Sequence, residues 1–336
     1  MIAQGPKVKE FEKKFADLCG VEYAVALNSG TAALHTSLYA LGVKPGDEVI
    51  TVPFTFVATA NSILMQGAKP VFVDVDDRTF NIDASLIEEK ITDKTKAILG
   101  VHLYGQPFDL GKVQKIAKKH NLKVIEDCAQ AVEAKYDNKV VGSIGDVGTF
   151  SFYATKNLIT GEGGILTTND RQIAELGRRF RHHGQSESTK YEYWDLGYNY
   201  RMMDIQAALG IAQLEKIEEI TAKRISNAKK LSEGLKMCDN IEIPYIEKNR
   251  EHVFHLYTIK TQIRAKIMEN LKKNNIGCGV YYPKPLHLHP FFKKLGYEEG
   301  DFPVSEQLSK EVLSLPVHPL VKDADIDKII KTLGNI

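Results

Sequence analysis

Three short segments place reactive or anion-binding side chains directly after apolar runs. The first is Asn28-Ser29-Gly30-Thr31-Ala32-Ala33-Leu34. A Ser-Gly-Thr turn opening a helix presents unpaired backbone N–H groups and the positive helix end, which suits a phosphate. The same residues also serve as a plain helix cap. The second is Glu126-Asp127-Cys128-Ala129-Gln130, where a carboxylate ending a buried strand can hold a cationic ring nitrogen or cap a helix. The third runs from Ser151-Phe152-Tyr153-Ala154-Thr155-Lys156-Asn157-Leu158 into Ile159-Thr160-Gly161-Glu162-Gly163-Gly164. Lys156 lies between a strand and a flexible turn, where a carbonyl compound can reach its amine. A lone lysine is usually a solvated surface charge, so its neighbours matter more than the residue. Ser151 adds a hydroxyl five positions earlier, and the glycines allow close approach of a bulky ligand.

Other chemistries find no support in the residues. No Gly-x-Gly-x-x-Gly opens a helix after the first strand, and the Gly161–Gly164 cluster lacks the Gly-Lys-Ser/Thr of a phosphate-binding loop. Gly-x-Ser-x-Gly is absent. His182-His183 and His287-x-His289 lack the carboxylate or cysteine set of a metal centre, so no metal is expected.

These segments need elements to position them. Apolar runs predict strands at Glu22–Leu27, Glu48–Val52, Pro70–Val75, Lys96–Val101 and Lys123–Glu126. Helical patterns fall between them at Ala32–Leu41, Val57–Met65, Ala84–Ile91 and Leu110–His120. Such alternation predicts crossover connections, hence an α/β fold with a mostly parallel sheet covered on both faces. Asp146–Tyr153 and Gly164–Thr168 add two strands. A long helical pattern from Asp204 to about Leu235 bridges two domains or packs on a partner. The last hundred residues mix strands (His255–Lys260, Cys278–Tyr281) with helices (Ala265–Asn274, Ser305–Leu313, Asp325–Leu333). We therefore expect a large domain over 1–225 and a smaller C-terminal α+β domain over 226–336.

Composition sets the bounds. The chain has 336 residues, 43% hydrophobic and 26% charged, with 44 Lys and Arg against 43 Asp and Glu for a formal charge of +1. That balance argues against a polybasic nucleic-acid binder. Four dispersed cysteines with no Cys-x-x-Cys read as reduced thiols in a cytoplasmic protein. No apolar run reaches the roughly 20 residues of a membrane helix.

Taken in order, the anion-binding turn, the acid ending a later strand and the Ser-x-x-x-x-Lys-Asn turn resemble pyridoxal phosphate machinery. More narrowly, the chain resembles the DegT/DnrJ/EryC1/StrS sugar-nucleotide aminotransferases, which have the aspartate aminotransferase (type I) fold. The likeness also covers Gly5-Pro6-Lys7-Val8-Lys9-Glu10-Phe11-Glu12, Gly46-Asp47-Glu48-Val49-Ile50, Arg181-His182-His183-Gly184 and Leu196-Gly197-Tyr198-Asn199-Tyr200-Arg201-Met202. It closes with Tyr282-Pro283-x-Pro285-Leu286-His287 and Leu313-Ser314-Leu315-Pro316-Val317-His318-Pro319.

The resemblance implies Lys156 as the lysine that holds the cofactor by an imine and Asp127 as the partner of its protonated ring nitrogen. Gly30, Thr31 and Ser151 would bind the phosphate, Gln130 the ring hydroxyl, and Phe56 the ring face. Asn199 would reach the phosphate of the neighbouring subunit, which implies a homodimer with shared sites. Arg201, His183 and Lys190 are the candidates for the negative charge of a sugar nucleotide; Arg201 alternatively reads a sugar carboxylate. Tyr281, His287 and His289 lie in the region that closes over substrate. The implied reaction takes the amino group of L-glutamate, stores it as pyridoxamine phosphate, and gives it to a nucleotide-linked keto-sugar, yielding an amino sugar for surface polysaccharide or other glycans. Related deoxysugar dehydratases carry histidine where this chain has Lys156, which leaves dehydration as the runner-up, alongside a non-catalytic regulatory protein that keeps the cofactor.

Overall fold

The computed structural model describes residues 3–186 and 191–334. Its centre is a seven-stranded sheet. In spatial order the strands are Tyr23–Leu27, Gly164–Thr168, Val147–Ser151, Lys123–Asp127, Thr95–Val101, Glu48–Thr51 and Lys69–Phe72. Gly164–Thr168 runs antiparallel to both of its neighbours, and the other four neighbour pairs are parallel. The mostly parallel sheet expected from the alternating pattern is therefore present. The strands are almost wholly buried, because helices cover both faces.

Direction decides where chemistry can sit. Leu27, Ser151 and Asp127 all end parallel-running strands, so they reach the same edge of the sheet. Register places Ser151 and Leu27 on either side of Gly164. The three predicted segments therefore leave the sheet at its carboxyl edge, where open α/β sheets bind ligands.

Several elements differ from the sequence reading. The Ala84–Ile91 pattern is two 3₁₀ turns, Ala84–Leu86 and Glu88–Lys90. The long pattern from Asp204 breaks at 215–216 into Asp204–Leu214 and Ile217–Leu235. Cys278–Tyr281 forms only a bridge, Gly279 to Ser314. Three α-helices lie outside the sequence reading, Pro6–Cys19, Arg171–Phe180 and the single turn Pro290–Lys293. Gly5 brings no capping side chain to the first of these; Asp204, almost 200 residues away, accepts from the Gly5, Lys7 and Val8 N–H groups instead.

Two cores organise the chain. The larger wraps the sheet; the smaller begins at Ala228 and gathers Leu231, Leu235, Tyr257, Ile259, Leu313, Leu315 and Ile326. The strands Tyr257–Lys260 and Val312–Leu315 pair antiparallel in this second lobe. The boundary we propose at 225/226 falls within the Ile217–Leu235 helix, between Arg224 and the first residue of the smaller core. All four cysteines are free, and no described helix is long and apolar enough to cross a membrane.

Candidate active site

Asp127 ends its strand buried, with Oδ2 accepting from the Thr59 hydroxyl at 2.9 Å and Oδ1 from the Ala129 N–H at 3.1 Å. Thr59 is itself held by Thr55, 3.1 Å away. Burial raises the Asp127 carboxyl above the usual range, and these donors and the Lys156 charge pull it back only in part. Lys156 answers it. Burial lowers its amine below the usual lysine value, while Asp127 draws it upward. A buried acid facing a desolvated amine is the kind of pair that functional sites keep.

Behind Asp127 stands a fully buried hydrogen-bonded pair, His102 and Glu126, that sequence reading missed. Glu126 accepts from His102 Nε2 at 3.0 Å and from the N–H groups of Gly142, Ile144 and Gly145 at 2.7–2.9 Å. Burial alone would raise the Glu126 carboxyl, but the His102 bond and these amides outweigh it and hold it low. Phe108 N–H donates to His102 Nδ1 at 3.1 Å, which leaves Nε2 as the protonated nitrogen of a neutral ring. The His102 main-chain N–H donates to the Asp127 carbonyl at 3.0 Å, so the pair braces the strand end that carries the acid.

The turn that opens the Gly30–Ala40 helix is a matter of space. Ser29 caps the Gly30–Ala40 helix through Ala32 N–H. A Cβ on Gly30 would lie 2.7 Å from Ser151 Cβ and 3.1 Å from its Oγ, and a Cβ on Gly164 only 2.3 Å from the Ser29 carbonyl oxygen. Only glycine lets the helix start approach Ser151 this closely. The helix start and the Ser151 hydroxyl thus lie side by side, a geometry that suits an anion.

Around this centre, Gln130 is buried, accepting from Tyr104 N–H at 2.7 Å and donating to the Tyr282 hydroxyl at 3.2 Å. Burial, then the Asp127 charge, raises Tyr282, which places that ring near the acid. Phe56 is 57% exposed, its ring 6.3 Å from Tyr282. It is not the core aromatic that its type alone suggests; one face is available for a ligand.

The remaining candidates divide. Asn199 is exposed, with its carbonyl accepting from Asn28 Nδ2 at 3.3 Å, next to the Ser29-Gly30 turn. Arg201 pairs with Leu27, and its Nη1 lies 2.8 Å from His182 Nδ1. His183 is exposed in a left-handed conformation. Lys190 lies outside the described residues. His287 needs correction: it is fully buried, Nε2 on Glu306 at 2.9 Å and ring against Phe302, beside the cluster that packs Leu286, Phe292 and Phe302 on Phe72 of the sheet, so its ring offers no surface to a ligand. Tyr281 is exposed, and His289 lies 3.4 Å from the Lys284 carbonyl at the rim.

With this geometry in view, comparison with known proteins is decisive. A model of the DegT/DnrJ/EryC1/StrS aminotransferase family matches residues 1–334. The chain belongs to that family. It is 42% identical over 338 residues to the GDP-perosamine synthase of Caulobacter vibrioides, covering 99% of this chain and 90% of that one. It is 40% identical over 332 residues to the UDP-2-acetamido-2-deoxy-3-oxo-D-glucuronate aminotransferase of Pseudomonas aeruginosa, covering 98% and 91%. The crystal structure of S. venezuelae DesV, solved with a ketimine intermediate, superposes with a TM-score of 0.97 at 34% identity, covering 100% of this chain and 90% of that one. The fold is that of the family's aminotransferases, and the protein is an enzyme of that class.

Proposed function

We propose that this aminotransferase takes the amino group of L-glutamate and delivers it, by way of pyridoxal phosphate, to the keto group of a nucleotide-linked sugar. One observation carries the reading: the partly buried Lys156 amine lies within electrostatic reach of the buried Asp127 carboxylate at the sheet edge where Gly30 and Ser151 leave room for a phosphate. The residues fit the cofactor. A buried carboxylate with only two hydrogen bonds has capacity for a cationic N–H, and the glycine-lined helix start has capacity for phosphate oxygens. Relatives named for GDP- and UDP-linked sugars support the substrate class.

Pyridoxal phosphate, when bound, supplies the carbonyl that takes up the amino group and a ring that withdraws electrons from the reacting carbon. The rest belongs to this chain. Gly30, Thr31 and Ser151 would hold the phosphate, Phe56 would cover a ring face, and Gln130 with Tyr282 would line the side. Asp127, braced by Thr59 and Ala129, carries the negative charge opposite the ring nitrogen. Lys156 would be the residue that holds the cofactor's carbonyl carbon, and its amine, when free, would be the group placed to move a proton at the reacting carbon. Burial suits it to this, because an ordinary lysine at a pKa of about 10.4 is almost wholly protonated near pH 7.

We propose further that the enzyme works as a homodimer in which Asn199 of each subunit completes the other's phosphate site. The exposed Tyr193, Trp194, Leu196, Ile205 and Leu209 flank Asn199 and give that face the apolar character of an interface. The direct test is to offer the protein glutamate and a panel of 3-keto and 4-keto sugar nucleotides, with products read by mass spectrometry. An amino sugar nucleotide formed with equimolar 2-oxoglutarate is expected; conversion of glutamate with no amination of any sugar nucleotide would sink the substrate class.

A further inference from the structure

The turn that leads into the Ala58–Met65 helix carries more than an exposed aromatic ring. Thr55 directly precedes Phe56, and Thr59 follows one helical turn later, its N–H donating to the Phe56 carbonyl at 3.2 Å. Both threonines are buried although Phe56 between them is open. Their hydroxyl oxygens lie 3.1 Å apart, and Thr59 Oγ1 donates to Asp127 Oδ2 at 2.9 Å. The Ser62 hydroxyl donates to the Thr59 carbonyl at 3.0 Å, which ties this first turn to the next. One short stretch of chain therefore joins the open ring of Phe56 to the buried acid.

The carboxylate decides the direction of both hydroxyl bonds. An ionised Asp127 only accepts, so the single hydrogen of Thr59 goes to Oδ2 and the Thr55 hydroxyl donates to Thr59. Hydrogen bonds chained in this way strengthen one another. The Ala129 N–H takes the other oxygen, Oδ1, at 3.1 Å. One donor on each oxygen fixes the plane of the carboxylate and leaves lone pairs for a further cation. Among the described residues, Thr59 gives Asp127 its only side-chain hydrogen bond. Burial raises this carboxyl, and the Ala129 and Thr59 bonds are the leading forces against it.

We propose that Thr59, backed by Thr55, is a positioning residue for Asp127: its hydroxyl keeps the carboxylate ionised and in one plane, so that it pairs with a protonated ring nitrogen of the cofactor, while the same turn presents Phe56 to the ring face. The inference rests on Asp127 being the partner of that nitrogen. Without the Thr59 hydroxyl the buried carboxylate keeps one donor, the Ala129 N–H, and its neutral form gains ground. A neutral acid has no charge to give a cationic ring. The hydroxyl therefore matters for a ligand that brings a ring nitrogen and not for one that lacks it.

The test reads affinity and not turnover. Cofactor-free wild type, Thr59→Val and Thr59→Ser are each titrated by equilibrium dialysis with pyridoxal phosphate and with 1-deazapyridoxal phosphate, in which C–H replaces the ring nitrogen. Both ligands keep the aldehyde and the phosphate, so the ratio of their affinities isolates the nitrogen. Wild type should prefer pyridoxal phosphate. In Thr59→Val that preference should fall by about fivefold to tenfold, the scale of one hydrogen bond to a charged group. Thr59→Ser keeps the hydroxyl and should stay within about twofold of wild type. A purely structural role would weaken both ligands alike and leave the ratio unchanged in Thr59→Val; that result, or an equal fall in Val and Ser, overturns the proposal. Should Thr59→Val fail to fold, Thr55→Val takes its place, where a fall of at least about twofold supports the proposal and a smaller one overturns it. Equal affinity of the wild type for the two ligands would refute Asp127 as the partner of the ring nitrogen, whereas a wild-type preference that Thr59→Val retains would refute the role of Thr59 alone.

Discussion

Lys156, Asp127 and Glu126 show how burial gives ordinary side chains unlike roles. Two adjacent carboxylates end one strand. Glu126 receives four donors and is held low, while Asp127 receives two and is raised. The difference is coordination, and it makes one carboxylate structural and leaves the other with capacity for a cation. The sign follows for stability. A carboxyl held below its unfolded value contributes stability above the ordinary range of about pH 4.3 and loses it as pH falls through its folded value. Glu126→Gln should therefore be less stable than wild type by about 2 kcal/mol at pH 7, the scale of hydrogen bonds to a buried charge. That gap should shrink as pH falls below about 5. Urea midpoints at pH 7 and pH 4 measure it, and a gap that widens in acid would contradict the assignment. Asp127 was legible in the sequence because it follows an apolar run. Its supporters were not: Thr59 lies 68 residues away and His102 lies 24 residues from Glu126, contacts made by the sheet's order and not by any local spacing.

Elements were legible where one period dominates. Leu110–His120 and Gly164–Thr168 match their patterns to the residue. Pro6–Cys19 escaped because its start is capped from Asp204, so nothing local marks the N-terminus beyond a proline. Asp204–Leu235 was read as one helix because the apolar spacing continues across the break at 215–216. The helix start at Gly30 was legible as an anion turn or a plain cap, and the structure shows both the cap by Ser29 and the closeness of Ser151 that only glycine permits. Gly30→Ala should destabilise the protein by roughly 1–3 kcal/mol through overpacking and weaken phosphate-dependent cofactor binding more than tenfold. Equilibrium dialysis with pyridoxal phosphate, compared with pyridoxal lacking the phosphate, isolates the effect; equal losses for both would argue against a phosphate cradle here.

At the scale of the molecule, a mostly parallel sheet brings three distant segments to one edge, and a second lobe closes on them through residues 252–256. The sequence pattern foretold the sheet and its carboxyl edge, because alternation of strand and helix leaves little choice of topology. It did not foretell the second lobe's contact with the turn that carries Lys156, which His255 makes through Asn157. His287 misled for the same reason: its place in the segment expected to close over substrate says nothing of burial, and only the packed structure shows it sealed against Phe302 and Glu306. The homodimer belongs to this scale too. Sedimentation velocity should give a species of about twice 37.6 kDa, and a fully active monomer would contradict sharing of Asn199.

The account depends most on Lys156 as the cofactor's covalent partner, and one comparison tests that directly. Wild type and Lys156→Ala are each loaded with pyridoxal phosphate, treated with borohydride and digested, with peptides read by mass spectrometry, while a second sample receives stoichiometric glutamate and is assayed for 2-oxoglutarate. The expected result is a pyridoxyl group on Lys156 and one equivalent of 2-oxoglutarate per wild-type subunit, with neither in Lys156→Ala. A label on another lysine, or full 2-oxoglutarate release by Lys156→Ala, would contradict it.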